Sequence, residues 1–259
     1  MKKTYFARAF VKVPGQSLIS EINKRILLAG VSIGVMGSAL AWMFYSLLFG
    51  KQGYLPALMI MLVALALIYR YTRQVDFYWQ GMTGERYVRD EIEPIIKDGY
   101  HILCSFPGEK FDIDCVVVGP GGVYAIEVKN PAKFASDDWV VFEGGLLRLK
   151  SKAAHKTITL NGQDPIKQAR AHANWLRNYL TEVRGRRFEG VKAVVLFPKF
   201  LVEDHVTPDL LVLNPKRFAF DYLPKAPKVL EPGDITMIVA ALRARMKTLY
   251  DIEMAEAES

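Results

Sequence analysis

The chain has 259 residues, 51% of them apolar and 24% charged, and carries a formal net charge of +7. That charge is uneven: residues 1–69 hold seven Lys/Arg and one acidic residue, whereas residues 70–259 hold 27 basic and 26 acidic residues. The basic balance therefore belongs to the N-terminus and excludes a domain coated with positive charge for nucleic acid.

Residues 1–25 form a basic N-terminal segment, and residues 26–71 read as a helical hairpin across a membrane. Ile26 to Leu48 is 23 residues without a charge, which at about 1.5 Å per residue exceeds a hydrocarbon core of ~30 Å. A second uncharged run, Gln52 to Tyr69, follows a short turn around Lys51. Lys2, Lys3, Arg8, Lys12, Lys24 and Arg25 precede the first span, and Arg70 and Arg73 follow the second. That bias predicts a multi-pass protein of the inner (cytoplasmic) membrane with both termini cytoplasmic. Gly30 and Gly34 form a GxxxG spacing that permits close helix contact, within the hairpin or between chains of a homo-oligomer.

Residues 75–259 read as an α/β domain with its core at about 80–200. The first helix covers residues 75–98, with Thr83 as an N-cap where it starts afresh, a kink at Pro94 and a stop at Gly99. Strands are expected at residues 100–106, 111–118 and 123–129, then a hairpin of residues 139–142 and 146–149 across Gly144-Gly145. Cys104 and Cys115 fall in strand-like runs and in no CxxC pair. They predict buried, reduced thiols and no zinc site. Asp164-Pro165 opens a helix to about Val183, with Asp as N-cap and Pro at its first turn. Strands at 193–197 and 210–213 and a helix at 234–250 complete the domain, followed by a frayed acidic tail.

The chemistry lies in Asp112-Ile113-Asp114 and Glu127-Val128-Lys129, joined through Gly119-Pro120-Gly121-Gly122. With that turn as the loop of a hairpin, Val118 pairs with Val123, Asp114 falls opposite Glu127, and Asp112 falls opposite Lys129. Two like charges ~5 Å apart repel by roughly 3 kcal/mol at an effective dielectric near 20. A divalent cation between them turns that penalty into binding, and a lysine on the same face can orient a water or stabilise developing charge. The bland alternative is a surface hairpin with an ordinary Asp112–Lys129 ion pair.

The stretch from Gly84-Glu85 through Asp112-Ile-Asp114 and the Gly-Pro-Gly-Gly turn to Ile126-Glu127-Val128-Lys129-Asn130 resembles the nuclease-related domain (NERD) family of the PD-(D/E)xK nuclease superfamily. The resemblance implies a restriction-endonuclease-like mixed sheet flanked by helices. It implies Asp114 and Glu127 as ligands of Mg²⁺ or Mn²⁺, Glu85 as a further ligand, Lys129 as the catalytic lysine, and Gln168 beside them. Asp112 and Cys115 depart from the usual types around Asp114. Separately, the basic runs holding Lys150, Lys152 and Lys156, and Arg184, Arg186 and Arg187, are candidate phosphate contacts. The reading is a membrane-anchored, metal-dependent nuclease acting on DNA, with RNA as the other polymer. Its rivals are a non-cleaving nucleic-acid or protein adaptor of the same fold, and an oligomeric membrane scaffold.

Overall fold

The computed structural model describes residues 16–50, 54–160 and 164–258. The basic residues Lys2, Lys3, Arg8 and Lys12, the turn residues 51–53 and the stretch 161–163 lie outside the described residues. The chain divides into two compact units, Gly15–Met82 and Thr83–Ser259.

In the first unit, helix α1 (Gln16–Leu48) and the first part of helix α2 (Tyr54–Ile92) are long and apolar enough to cross a membrane. Most of their large apolar side chains are exposed, including Leu27, Trp42, Leu55 and Met59. Besides Ile22 and Met82, the buried positions are small residues at seven-residue spacing, Ser32, Ala39 and Ser46 on α1 and Ala57 and Ala64 on α2. That spacing lets two helices approach closely. Gly30, Gly34 and Gly37 take no part in this seam, since a Cβ on any of them meets nothing within 4 Å.

Helix α2 runs without interruption through Thr83, so the helix start expected there does not exist; no capping break is needed where the backbone ladder simply continues. Pro94 does not kink this helix but sits at the first turn of a separate 3₁₀ turn, Glu93–Asp98, where its missing N–H costs nothing. Gly99, at a φ of 81°, ends it.

The second unit holds a mixed six-stranded sheet in the order β1-β2-β3-β7-β10-β9. Its strands are β1 (His101–Pro107), β2 (Asp112–Gly119), β3 (Gly122–Val128), β7 (Val191–Leu196), β9 (His205–Val206) and β10 (Leu210–Leu213). The meander β1-β2-β3 is antiparallel, and β7 and β10 add to it in parallel. A smaller sheet, in the order β6-β5-β4-β8, comprises β4 (Trp139–Glu143), β5 (Leu146–Ser151), β6 (Lys156–Thr159) and β8 (Leu201–Val202). Helices α3 (Pro165–Arg184) and α4 (Pro232–Glu258) complete the unit, and α4 continues through most of the tail expected to fray.

The large sheet is covered on both faces, so its strands read as continuous apolar runs. Val123, Ala125, Ala193 and Val195 pack with Ala169, Ala173 and Leu176 of α3 and Ile238 and Leu242 of α4. Tyr124, Ile126, Val194 and Leu196 pack on the opposite face with Val88, Ile92 and Phe218. Cys104 and Cys115 are direct cross-strand partners and form a disulfide. This corrects the expectation of free thiols: register, which spacing in sequence does not reveal, sets the two residues opposite one another with Cα atoms 4.0 Å apart.

Candidate active site

The β2–β3 pairing follows the expected register, from Gly119 opposite Gly122 to Cys115 opposite Ile126. The turn itself is one pair tighter than a four-residue loop, and Gly122 takes a φ of 122° that favours glycine. One position beyond the last pair, the backbone ladder gives way. Here the Asp114 carboxylate takes the place of the neighbouring strand: Val128 N–H donates to Asp114 Oδ2 at 2.7 Å. The β1–β2 pairing likewise skips the position where Ser105 would face Asp114, and Ser105 has a φ of 49°, a strained value for a residue other than glycine. The strand is thus bent at the residue that carries the first acid.

Alternation along β3 sends Val123, Ala125 and Glu127 towards α3, and Lys129 follows after the strand end. Asp164 caps α3 by accepting from Ile166 N–H at 3.1 Å and Lys167 N–H at 3.3 Å, with Pro165 in the first turn. Capping fixes the helix start and hence which residues face the strand. Gln168 comes first, and its Oε1 accepts from Lys129 Nζ at 3.1 Å. His172 comes one turn later. Its Nδ1 lies 3.3 Å from Glu127 Oε2, outside hydrogen-bond geometry. Lys129 Nζ also pairs with Glu127 Oε1 at 2.6 Å, so its ammonium is shared between Glu127 and Gln168.

Glu127 is 2% exposed. Its Oε2 is buried without a hydrogen-bond partner. Burial, followed by the charges of Glu127 and Glu85, pushes the Asp114 pKa well above the ordinary carboxylate value. The Val128 N–H and the Lys129 charge act in the opposite direction and do not prevail. Asp114, Glu127 and Lys129 therefore lie close enough to sense one another, with Glu85 of α2 contributing a third acid. Among the described residues, no group of three or more His, Cys, Asp or Glu side chains is placed to hold a metal ion. The orphaned Glu127 oxygen and the hard carboxylate donors nevertheless fit an open site that leaves positions for water and phosphate.

Gly84, next to Glu85, packs directly on the residue after Lys129: a Cβ added there would stand 2.7 Å from Asn130 Cβ. Nothing in the sequence signals this contact, and His172 lacks the ligand spacing that would have marked it out. A weak signal for His172 is its position four residues after Gln168, on the same helix face.

The six basic candidates separate into two places. Lys152 Nζ stands 5.7 Å over the Trp139 ring and Lys156 Nζ 5.4 Å over Phe134, both on the small sheet and the loop leading into it. Lys150 pairs with Glu143 at 2.6 Å. The loop is ordered by Asp138, which accepts from Phe134 N–H at 2.5 Å and Ala135 N–H at 3.2 Å. Burial opposes the Asp138 charge, yet hydrogen bonds from Ser151 and these two amides hold its pKa below the ordinary value. Arg184, Arg186 and Arg187 instead lie near Gly190, whose carbonyl accepts from Val123 N–H at the start of β3. That is the end of the sheet opposite Lys129, about 20 Å away along β3. Arg184 is taken up by Asp234, and Arg187 by Glu189.

Fold and site together define a mixed α/β domain with paired acids and a lysine at the strand ends. Residues 80–198 match the family model of NERD, the nuclease-related domain. The matched stretch contains Glu85, Asp114, Glu127, Lys129 and Gln168, all gathered at this site, and His172 besides. No curated protein and no solved structure matches the chain.

The raised Asp114 pKa has a measurable consequence. An acid with a higher pKa in the folded than in the unfolded state binds more protons when folded, so stability falls as pH rises through that window. Metal-free protein is therefore expected to lose stability as pH climbs above the ordinary carboxylate pKa. Each tenfold difference in proton affinity between the folded and unfolded states is worth about 1.4 kcal/mol. Asp114→Asn removes the charge, flattens this slope, and raises the melting temperature at neutral pH by roughly 2–4 °C per kcal/mol relieved. Thermal unfolding in EDTA across a pH series checks it; an unchanged or lower melting temperature for the variant contradicts the repulsion.

Proposed function

We propose that the protein is a metal-dependent nuclease of the PD-(D/E)xK class, hydrolysing phosphodiester bonds of DNA at the cytoplasmic face of an inner membrane. The observation that carries this reading is the juxtaposition of Asp114 and the orphaned Glu127 Oε2 with Lys129 and Gln168, within a stretch that matches a nuclease-related domain. Asp114 and Glu127 would hold Mg²⁺ or Mn²⁺, with Glu85 as a further acid. Bound there, the cation supplies Lewis-acid polarisation of the phosphodiester. The protein's own groups do the rest. Lys129, freed from Glu127 Oε1, neutralises charge developing on the phosphate and orients the attacking water. Gln168 Oε1 fixes the ammonium, and the buried strand ends exclude bulk solvent.

Incubation of full-length, detergent-solubilised protein with plasmid and linear DNA tests the chemistry. Cleavage is expected in Mg²⁺ or Mn²⁺ and absent in EDTA. Glu127→Ala and Lys129→Ala are each expected to reduce it by about 10²-fold or more. DNA binding without metal-dependent cleavage rejects the hydrolase and supports the adaptor.

We propose further that the small sheet makes the phosphate contact, because Lys152 and Lys156 stand beside Trp139 and Phe134, in the stretch that follows Lys129 along the chain. The double variant Lys152→Ala/Lys156→Ala is expected to weaken DNA binding and to lower the slope of log affinity against log salt by about two. An unchanged slope places the contact elsewhere, with Arg186→Ala/Arg187→Ala as the matched comparison.

The two apolar helices would anchor the domain, with both termini cytoplasmic. Carbonate-washed membranes are expected to retain the protein, and protease added to the periplasmic side to leave the C-terminal domain intact. Release by carbonate, or digestion from that side, refutes the anchor or its orientation.

A further inference from the structure

A buried nitrogen, His172 Nδ1, faces the orphaned oxygen of Glu127 and takes no part in the proposed nuclease chemistry. Glu127 Oε2 and His172 Nδ1 are both enclosed, both lack a hydrogen-bond partner, and lie 3.3 Å apart. Either orphan alone carries the desolvation cost of a buried polar group left unsatisfied. Two placed against each other without hydrogen-bond alignment have the relation of neighbouring donors to a shared third atom. Adjacent ligands of an ion with bonds near 2.1 Å stand about 3.0–3.4 Å apart, the separation found here.

The ring is built in place. His172 is 4% exposed. Phe111 stacks on its imidazole, with centroids 4.6 Å apart and planes within 10° of parallel. Trp175 meets Phe111 edge-on at 5.5 Å and backs the stack. Phe111 is itself held where its carbonyl accepts from Gly108 N–H at 2.8 Å. The stack on Phe111 holds the plane of the imidazole, and with it the ring edge that faces Glu127.

We infer that His172 is a nitrogen ligand of the divalent cation, completing with Glu127 a mixed oxygen–nitrogen site that selects a transition ion over Mg²⁺. This rests on the proposed metal site and deepens it by assigning the ion. Carboxylate and water suit Mg²⁺ and Mn²⁺ alike, whereas an imidazole favours a first-row transition ion, and Mg²⁺ seldom accepts one. The remaining positions stay open for water and substrate.

Pulsed electron paramagnetic resonance of the full-length protein with Mn²⁺ alone tests the ligand without any variant or turnover. Modulation from a directly bound ¹⁴N nucleus is expected. His172→Asn is expected to abolish it and to weaken Mn²⁺ binding by tenfold or more, with the Mg²⁺ dissociation constant moving less than threefold. Near-ultraviolet circular dichroism reports whether the variant keeps its fold, and the wild-type spectrum decides if it does not. Mn²⁺ bound in a manner sensitive to Glu127→Gln but without ¹⁴N modulation overturns the role of His172 and leaves the metal site standing. Absence of Mn²⁺ binding, or binding indifferent to Glu127→Gln, overturns both.

Discussion

The second unit is organised around an electrostatic conflict at the end of a hairpin. Two acids, Asp114 and Glu127, are brought together where burial disfavours charge, and a third, Glu85, adds to the strain. A sheet closed on both faces by apolar side chains has no structural use for such a group. The surrounding architecture moderates the conflict without removing it: a backbone N–H for Asp114, an ammonium for one oxygen of Glu127, and nothing for the other. Incomplete compensation of a buried acid is one way in which a fold stores affinity for a ligand.

The hairpin provides the acids, but α3 makes them a site. Its start is pinned by the Asp164 cap, so its phase relative to β3 is determined, and Gln168 and His172 meet Lys129 and Glu127 in turn. The local break in both ladders around Asp114 has the same purpose. Where the pairing stops, Ser105 takes a left-handed backbone and the Asp114 carboxylate accepts from Val128 N–H. Secondary structure supplies direction, and the departures from it supply aim.

Much of this is legible in the sequence. The Gly-Pro-Gly-Gly turn determines the β2–β3 register, because strand pairing is arithmetic once the loop is known, and Asp-Pro announces the start of α3 through capping chemistry. The NERD resemblance adds Glu85 and Gln168, which no spacing rule connects to the hairpin. What stays hidden depends on contacts distant along the chain. Cys104 and Cys115 lie eleven residues apart, a separation with no meaning until β1 and β2 are registered. Thr83 misleads because an N-capping residue within a helix looks the same as one at its beginning. His172 escapes a search for ligand spacing along one segment, since its partner Glu127 comes from a strand. The two basic runs look alike in composition, which cannot tell that one belongs to the small sheet and the other lies near the start of β3 in the large one.

The contact between Gly84 and Asn130 sets how closely a helix carrying one acid may approach a strand end carrying the lysine. Because backbone and a Cβ atom meet there, with no long side chain to yield, the gap behaves as a hard stop. A single methyl at residue 84 would act as a wedge, and even a slight displacement would pass to the residue adjoining Lys129. The approach of the helix that carries Glu85 to the strand end that carries Lys129 is thus calibrated by the absence of a side chain, an economy that leaves no slack for drift at that position.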